Sequence, residues 1–110
     1  MEITISEMHR ATLIEVSGRV DSTNANQLGT SLNAQIEAGR HHLVVDLSRV
    51  DYISSAGLRE LVSALKRVKH LNGDLRLATP SDRVPEVLVL AGLDAIFRIF
   101  PTQVDAVGSY

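Results

Sequence analysis

Cysteine is absent from this chain, and so is tryptophan. Without cysteine there are no disulfides, no thiolate catalysis and no Cys-based metal site, a composition that fits a reducing cytoplasm. Aromatic residues make up only 4% of the chain, so its core must be aliphatic and it lacks stacking platforms for single-stranded nucleic acid. No basic excess is present either: formal net charge is -2 and the sequence pI is about 6.0, which argues against phosphate-backbone binding. The longest apolar stretches, such as Val87–Ala91, fall far short of the ~20 residues of a membrane span. The N-terminus alternates apolar and polar residues instead of joining a basic stretch to an apolar run, so no signal peptide is expected and the protein reads as soluble.

Against those absences stand 45% hydrophobic and 22% charged residues in 110 positions, enough for one compact domain around a real core. Ile3 and Ile5 alternate with Thr4 and Ser6 as in a half-buried strand. Leu13, Ile14 and Val16 make a second strand ending at Gly18, and the short link at Glu7–Arg10 predicts an antiparallel hairpin. Four helix-capping residues, Asp21 to Asn24, then precede Ala25, Leu28, Leu32 and Ile36 on one helical face, with Gly39 as the stop. The run from His42 to Leu47 is apolar on both faces, the pattern of a central parallel strand.

Leu58, Leu61, Val62, Leu65 and Val68 form the clearest helix, ended by Asn72-Gly73. Lys66, Arg67 and Lys69 suit its C-terminal dipole and read as its solvated face. Leu75 and Leu77 mark a short strand. A helix is expected from Pro80-Ser81-Asp82, with Pro85 in its first turn and Val84, Val87, Leu88 and Ala91 on one face up to Gly92. Ile96 to Phe100 reads as a last strand and Thr102 to Val107 as a terminal helical turn. Such alternation predicts an α/β fold: a mainly parallel sheet of four to five strands with an antiparallel N-terminal strand, packed against about three to four helices.

In such a sheet, the loops leaving the carboxyl ends of the strands gather at one edge. Two polar segments should meet there, Gly18–Asn24 and Asp51–Gly57. Ser54 and Ser55 stand before or at the first turn of the strong helix, where free N–H groups and a positive dipole end tolerate a phosphate. On local sequence alone a plain helix cap is the simpler role for these serines, because caps far outnumber switches.

Val45-Asp46-Leu47-Ser48-Arg49-Val50-Asp51-Tyr52-Ile53-Ser54-Ser55-Ala56-Gly57-Leu58 resembles the signature of STAS domains, in particular bacterial anti-sigma-factor antagonists. Weaker likenesses are Ser17–Asp21, similar to the family's Gly-x-x-Asp loop, Gly73–Leu77, and Val87 to Phe97, so the resemblance extends over nearly all of residues 1–110. It implies phosphorylation at Ser55 by a partner kinase, with Ser54 where the family often carries Asp, and Asp21 as the loop aspartate near that serine. It implies further that the unmodified protein binds an anti-sigma factor that is also a serine kinase, and so frees a sigma factor. Phosphorylation then blocks binding and a PP2C-type phosphatase restores it, with ATP held by the partner and no cofactor in this chain. The partner-binding residues would be Asp21, Ser22, Thr23, Ser54, Ser55, Ala56, Gly57 and Leu58. A cytoplasmic monomer, or a weak homodimer through an exposed first strand, is expected. The alternative within this class is a STAS module that binds a protein or small ligand without phosphorylation.

Catalysis is disfavoured. An esterase elbow would need glycine where Ile53 stands, and the only later histidine, His70, lies near the far end of the helix. Asp46 as a receiver-type phosphoacceptor lacks a preceding acidic pair and reads as a strand-end cap. His41 and His42 are adjacent, so on a strand they point to opposite faces and make no metal site.

Overall fold

The computed structural model describes residues 1–78 and 84–110. Strands β1 (Glu2–Met8) and β2 (Ala11–Val20) form the antiparallel hairpin, followed by helix α1 (Ala25–Glu37) and strand β3 (His42–Ile53). Helix α2 (Ser55–His70), strand β4 (Asp74–Ala78), helix α3 (Val84–Leu90), a 3-10 turn (Leu93–Ala95), strand β5 (Ile99–Phe100) and helix α4 (Gln103–Gly108) complete the described chain. The sheet order is β1-β2-β3-β4-β5; β1 is antiparallel and the rest are parallel, the directions that the alternation of elements predicts. The expected start of α3 at Pro80-Ser81-Asp82 lies outside the described residues, and Pro85 falls within the first turn of the helix.

Side-chain alternation divides the core. Leu43, Val45 and Leu47 of β3 enter a large cluster with Leu28 and Leu32 of α1, Leu61 and Leu65 of α2 and Leu88 of α3. Val44, pointing the other way, joins Ala11, Leu13 and Ala78 beneath Ala106 and Val107 of α4. Three helices therefore cover one sheet face, and one short helix covers part of the other.

Several expectations need correction. Strand β2 runs on through Gly18 to Val20, and β3 runs six residues beyond Leu47 to Ile53. The pairing explains why β3 outran its sequence pattern. Glu15 faces Asp46 and Ser17 faces Arg49, then Gly18 faces Val50 and Arg19 faces Tyr52. At each step β3 advances one residue more than β2, so β3 carries two bulges. Its inward residues Leu47, Val50 and Ile53 are consequently three apart, and strict alternation is lost. The last strand is only Ile99–Phe100, because Leu93–Ala95 forms a 3-10 turn and Phe97 turns into the core. Ala91 lies beyond α3 and is exposed instead of packed on its apolar face.

Candidate functional site

Because β2 and β3 are parallel and Val20 pairs with Ile53, both chains leave the sheet side by side at its carboxyl edge. The backbone N–H of Ser54 donates to the Val20 carbonyl at 2.8 Å, which ties the start of the second segment to the end of the first. The polar loops are shorter than the sequence suggests: Gly18–Val20 and Asp51–Ile53 belong to strands, leaving Asp21–Asn24 and Ser54 as the connections.

Asp21 organises its own loop. Its Oδ1 accepts from the Thr23 backbone N–H at 2.9 Å and from the Thr23 hydroxyl at 2.5 Å, and its Oδ2 accepts from Arg19 Nε at 3.1 Å. The Thr23 hydroxyl first, then the Thr23 amide, hold this carboxyl below the ordinary aspartate range, with Arg19 adding to the effect. The Asp21 carbonyl receives Ala25 N–H at 2.8 Å, so the loop also starts α1. Asn24 is the N-cap residue, yet its side chain serves the loop: Oδ1 accepts from Asp21 N–H and Nδ2 donates to the Arg19 carbonyl. Ser22 is exposed.

The two serines divide the work. Ser54 is the N-cap of α2: its backbone is extended (φ -81°, ψ 169°) and its Oγ accepts from Gly57 N–H at 3.3 Å. Ser55 is the first helical residue; it is exposed, and among the described residues no hydrogen bond engages its hydroxyl. The cap role therefore belongs to Ser54, leaving Ser55 Oγ free at the positive end of a 16-residue helix whose first turn carries no acidic side chain. Ala56 is half-buried.

Gly57 and Leu58, which the resemblance placed among partner-binding residues, are buried. A Cβ on Gly57 would stand 2.7 Å from Val20 Cγ1 and 2.9 Å from Ile53 Cγ1, so this glycine lets the helix sit against the two strand ends. The part of the motif open to a partner is thus Ser54 to Ala56, beside Asp21, Ser22 and Thr23.

Two residues of these segments are paired in a way that the sequence does not mark. Arg19 and Tyr52 are cross-strand partners, and the guanidinium lies 4.1 Å from the centre of the half-exposed phenol ring. Their pairing depends on the bulged register, which spacing alone does not reveal. Arg67 is more than a solvated charge, since it donates to Asn33 Oδ1 at 2.7 Å and faces Glu37 at 3.6 Å, joining α2 to α1.

The competing chemistries find little support in this geometry. His70 closes α2 at the end opposite Ser55, about 20 Å away along the helix axis. Asp46 is buried within β3, where Oδ1 accepts from Ser48 N–H and Oδ2 from the Gln103 side-chain amide. That amide also donates to Glu15 at 2.9 Å, so Asp46 anchors α4 and is neither a strand-end cap nor an open phosphoacceptor. Among the described residues, no group of three or more His, Cys, Asp or Glu side chains is arranged to hold a metal ion. No described helix is long and apolar enough to cross a membrane.

The sequence model for the STAS domain matches residues 2–106. A protein of Bordetella bronchiseptica named "Putative anti-sigma factor antagonist BtrV" is 34% identical over 110 residues, covering all of this chain and 95% of the relative. Among solved structures, the tm1081 protein of Thermotoga maritima, described in the same terms, superposes with a TM-score of 0.91 at 23% identity, covering 97% of this chain and 92% of that one. The anti-sigma factor antagonist SpoIIAA superposes in its unphosphorylated form with a TM-score of 0.86 at 17% identity, covering 98% of this chain and 95% of that one. The Bacillus protein in its phosphorylated form gives 0.77 at 16% identity, covering 98% of each chain. At these identities the structural likenesses speak for the fold.

Proposed function

Since the chain belongs to the STAS domain family, with anti-sigma factor antagonists among its relatives, we propose that it is a phosphorylation-controlled antagonist whose switch is Ser55. Unmodified, it docks the carboxyl edge of its sheet, at Asp21, Ser22, Thr23 and Ser54–Ala56, against an anti-sigma factor that is also a serine kinase, and the sigma factor is released. It acts in the cytoplasm and catalyses nothing itself. In the kinase step, Ser55 Oγ attacks the γ-phosphorus of ATP held by the partner. A new O–P bond forms, ADP leaves, and the hydroxyl proton passes to a base on the partner. A phosphatase of the PP2C type reverses the state by hydrolysis.

One observation carries this reading: Ser54 caps the helix, so the neighbouring hydroxyl of Ser55 is exposed and has no structural duty. A phosphate there meets the positive end of α2, so the fold accepts it. The surface does change, by about -1.5 to -2 charges beside Asp21. An interface packed against the unmodified edge would then face unpaired or like charge, a cost of several kcal/mol, on the order of 10²-fold or more in affinity. The existence of SpoIIAA in both phosphorylated and unphosphorylated forms supports a switch of this kind.

The test is phosphate incorporation by the candidate kinase partner with ATP and magnesium, followed by intact mass and site mapping. Wild type and Ser54→Ala should gain one phosphate and Ser55→Ala none. A partner active on another substrate but silent here would instead favour a constitutive binding module.

A further inference from the structure

The opposite edge of the sheet carries a second feature that the switch does not use. The hairpin turn His9-Arg10, between β1 and β2, separates two adjoining depressions of about 390 Å³ each. One is apolar, floored by Met8, Val104, Val107 and the Tyr110 ring. Val104 is 80% exposed and Met8 40%, so these apolar groups are open to solvent. The other depression is polar and gathers Arg10, Arg40, His41 and His42. Its one acidic side chain among the described residues is Glu7, and that carboxylate is already paired with Arg40 at 2.8 Å. Arg10 and His9 line both depressions, and among the described residues neither has an acidic partner.

The walls are preformed. His42 stacks on Tyr110 with ring centres 4.9 Å apart, and its Nδ1 lies 3.3 Å from the Arg10 carbonyl as a donor. The Tyr110 hydroxyl shares its one proton between the carbonyls of Leu43 and Asp74, both 2.7 Å away, while Arg76 covers its ring at 3.9 Å. Turn, strand starts and final residue are thus one hydrogen-bonded unit, which lowers the ordering cost of a ligand. An apolar cleft of this size with a few cations at one end matches the composition of a small-molecule site.

We infer that the two depressions form a single site for an amphipathic carboxylate, a hydrocarbon tail lying along Met8, Val104 and Val107 with its anionic head on Arg10. The apolar half makes burying a tail favourable, and the unpaired guanidinium offers a planar fork of donors to a carboxylate. Neither half suffices alone: a hydrophilic anion leaves the cleft wet, and an uncharged chain leaves Arg10 unmatched. The site lies at the amino ends of the parallel strands, at the other pole of the domain from Ser55.

The test uses decanoate below its micelle concentration, decanol as the chain without charge and acetate as the charge without chain, each titrated into the labelled protein and followed by amide chemical shifts. Decanoate should shift the amides of residues 9–11 and 103–110 and bind roughly tenfold or more tightly than either control. Arg10→Ala should weaken decanoate by about tenfold while leaving decanol unchanged, and Val104→Asp, at an exposed position, should weaken both by about tenfold. Melting curves within about 1 °C of wild type would show that both variants fold. The proposal is overturned by no shift with decanoate, by shifts confined to another surface, or by decanoate affinity indifferent to both substitutions.

Discussion

The two ends of the parallel strands are built on different plans. At the carboxyl edge, β2 and β3 are joined by a backbone hydrogen bond from Ser54 to Val20, and the side chains around it satisfy one another within a few residues of sequence. At the amino edge, the ties reach far along the chain: the Tyr110 hydroxyl bonds to the Leu43 and Asp74 carbonyls, Arg76 donates to the Ser109 hydroxyl at 2.8 Å, and His42 stacks on Tyr110. Local ties leave the outward-facing groups, Ser55 above all, free to change without loss of the fold. Long-range ties make the amino edge a clasp, whose failure loosens β3, β4 and α4 together.

The glycines break this comparison hardest. A Cβ on Gly73 would lie 2.1 Å from the His41 carbonyl oxygen, a backbone atom that cannot turn aside. Gly73→Ala should therefore cost about 3 kcal/mol in a denaturant titration. Gly57→Ala at the other edge meets side-chain methyl and methylene groups at 2.7 and 2.9 Å and gains some helix propensity, so about 1–2 kcal/mol is expected. Equal costs would remove the distinction between the edges.

Tyr110→Phe keeps the ring between His42 and Arg76 but removes the one hydroxyl proton that the Leu43 and Asp74 carbonyls share. It should lower stability by about 1–2 kcal/mol and increase hydrogen exchange in β3, β4 and α4 while sparing the Ser54–Leu58 segment. Burial, with Asp74 nearby, pushes this phenol above the ordinary tyrosine range, so no spectral titration of Tyr110 should appear within that range.

The serine pair sharpens the comparison within a single turn. Ser54→Ala removes the cap and should cost about 1 kcal/mol, whereas Ser55→Ala should stay within about 0.5 kcal/mol of wild type by thermal or chemical melting.

The smallest effect concerns Asp21. Its native carboxyl titrates below the ordinary value, so its contribution is present above the unfolded-state pKa and fades as pH falls through the lower native one. Carboxyl NMR should follow that depressed titration, and Thr23→Val, which deletes the hydroxyl donor, should raise it.

How much of this was legible beforehand follows from where each signal lies. The parallel strand directions, α1, α2 and the hairpin were readable because Ala25–Ile36 and Leu58–Val68 keep a helical period and Ile3–Ile5 keeps a strand period. The extension of β3 was not, because two bulges break its alternation at Ser48–Tyr52. The motif around Ser55 could be read as a helix start, but its division of labour could not. Ser54 and Ser55 are equally good caps in sequence, and only the backbone geometry assigns the cap to Ser54. The Tyr110 clasp and the Gln103 bridge to Glu15 and Asp46 join residues far apart in the chain, with no local pattern to mark them. Arg19 over Tyr52 was hidden for the same reason.

The most direct test of the account is to prepare the protein unmodified and phosphorylated at Ser55, then measure both the affinity for the anti-sigma partner and the melting temperature of each form. The account predicts that phosphorylation weakens binding on the order of 10²-fold or more while Tm moves by no more than ~2 °C. Unchanged affinity would contradict the switch, and a fall in Tm matching the loss of binding would mean that the phosphate acts by unfolding the edge instead of recharging it.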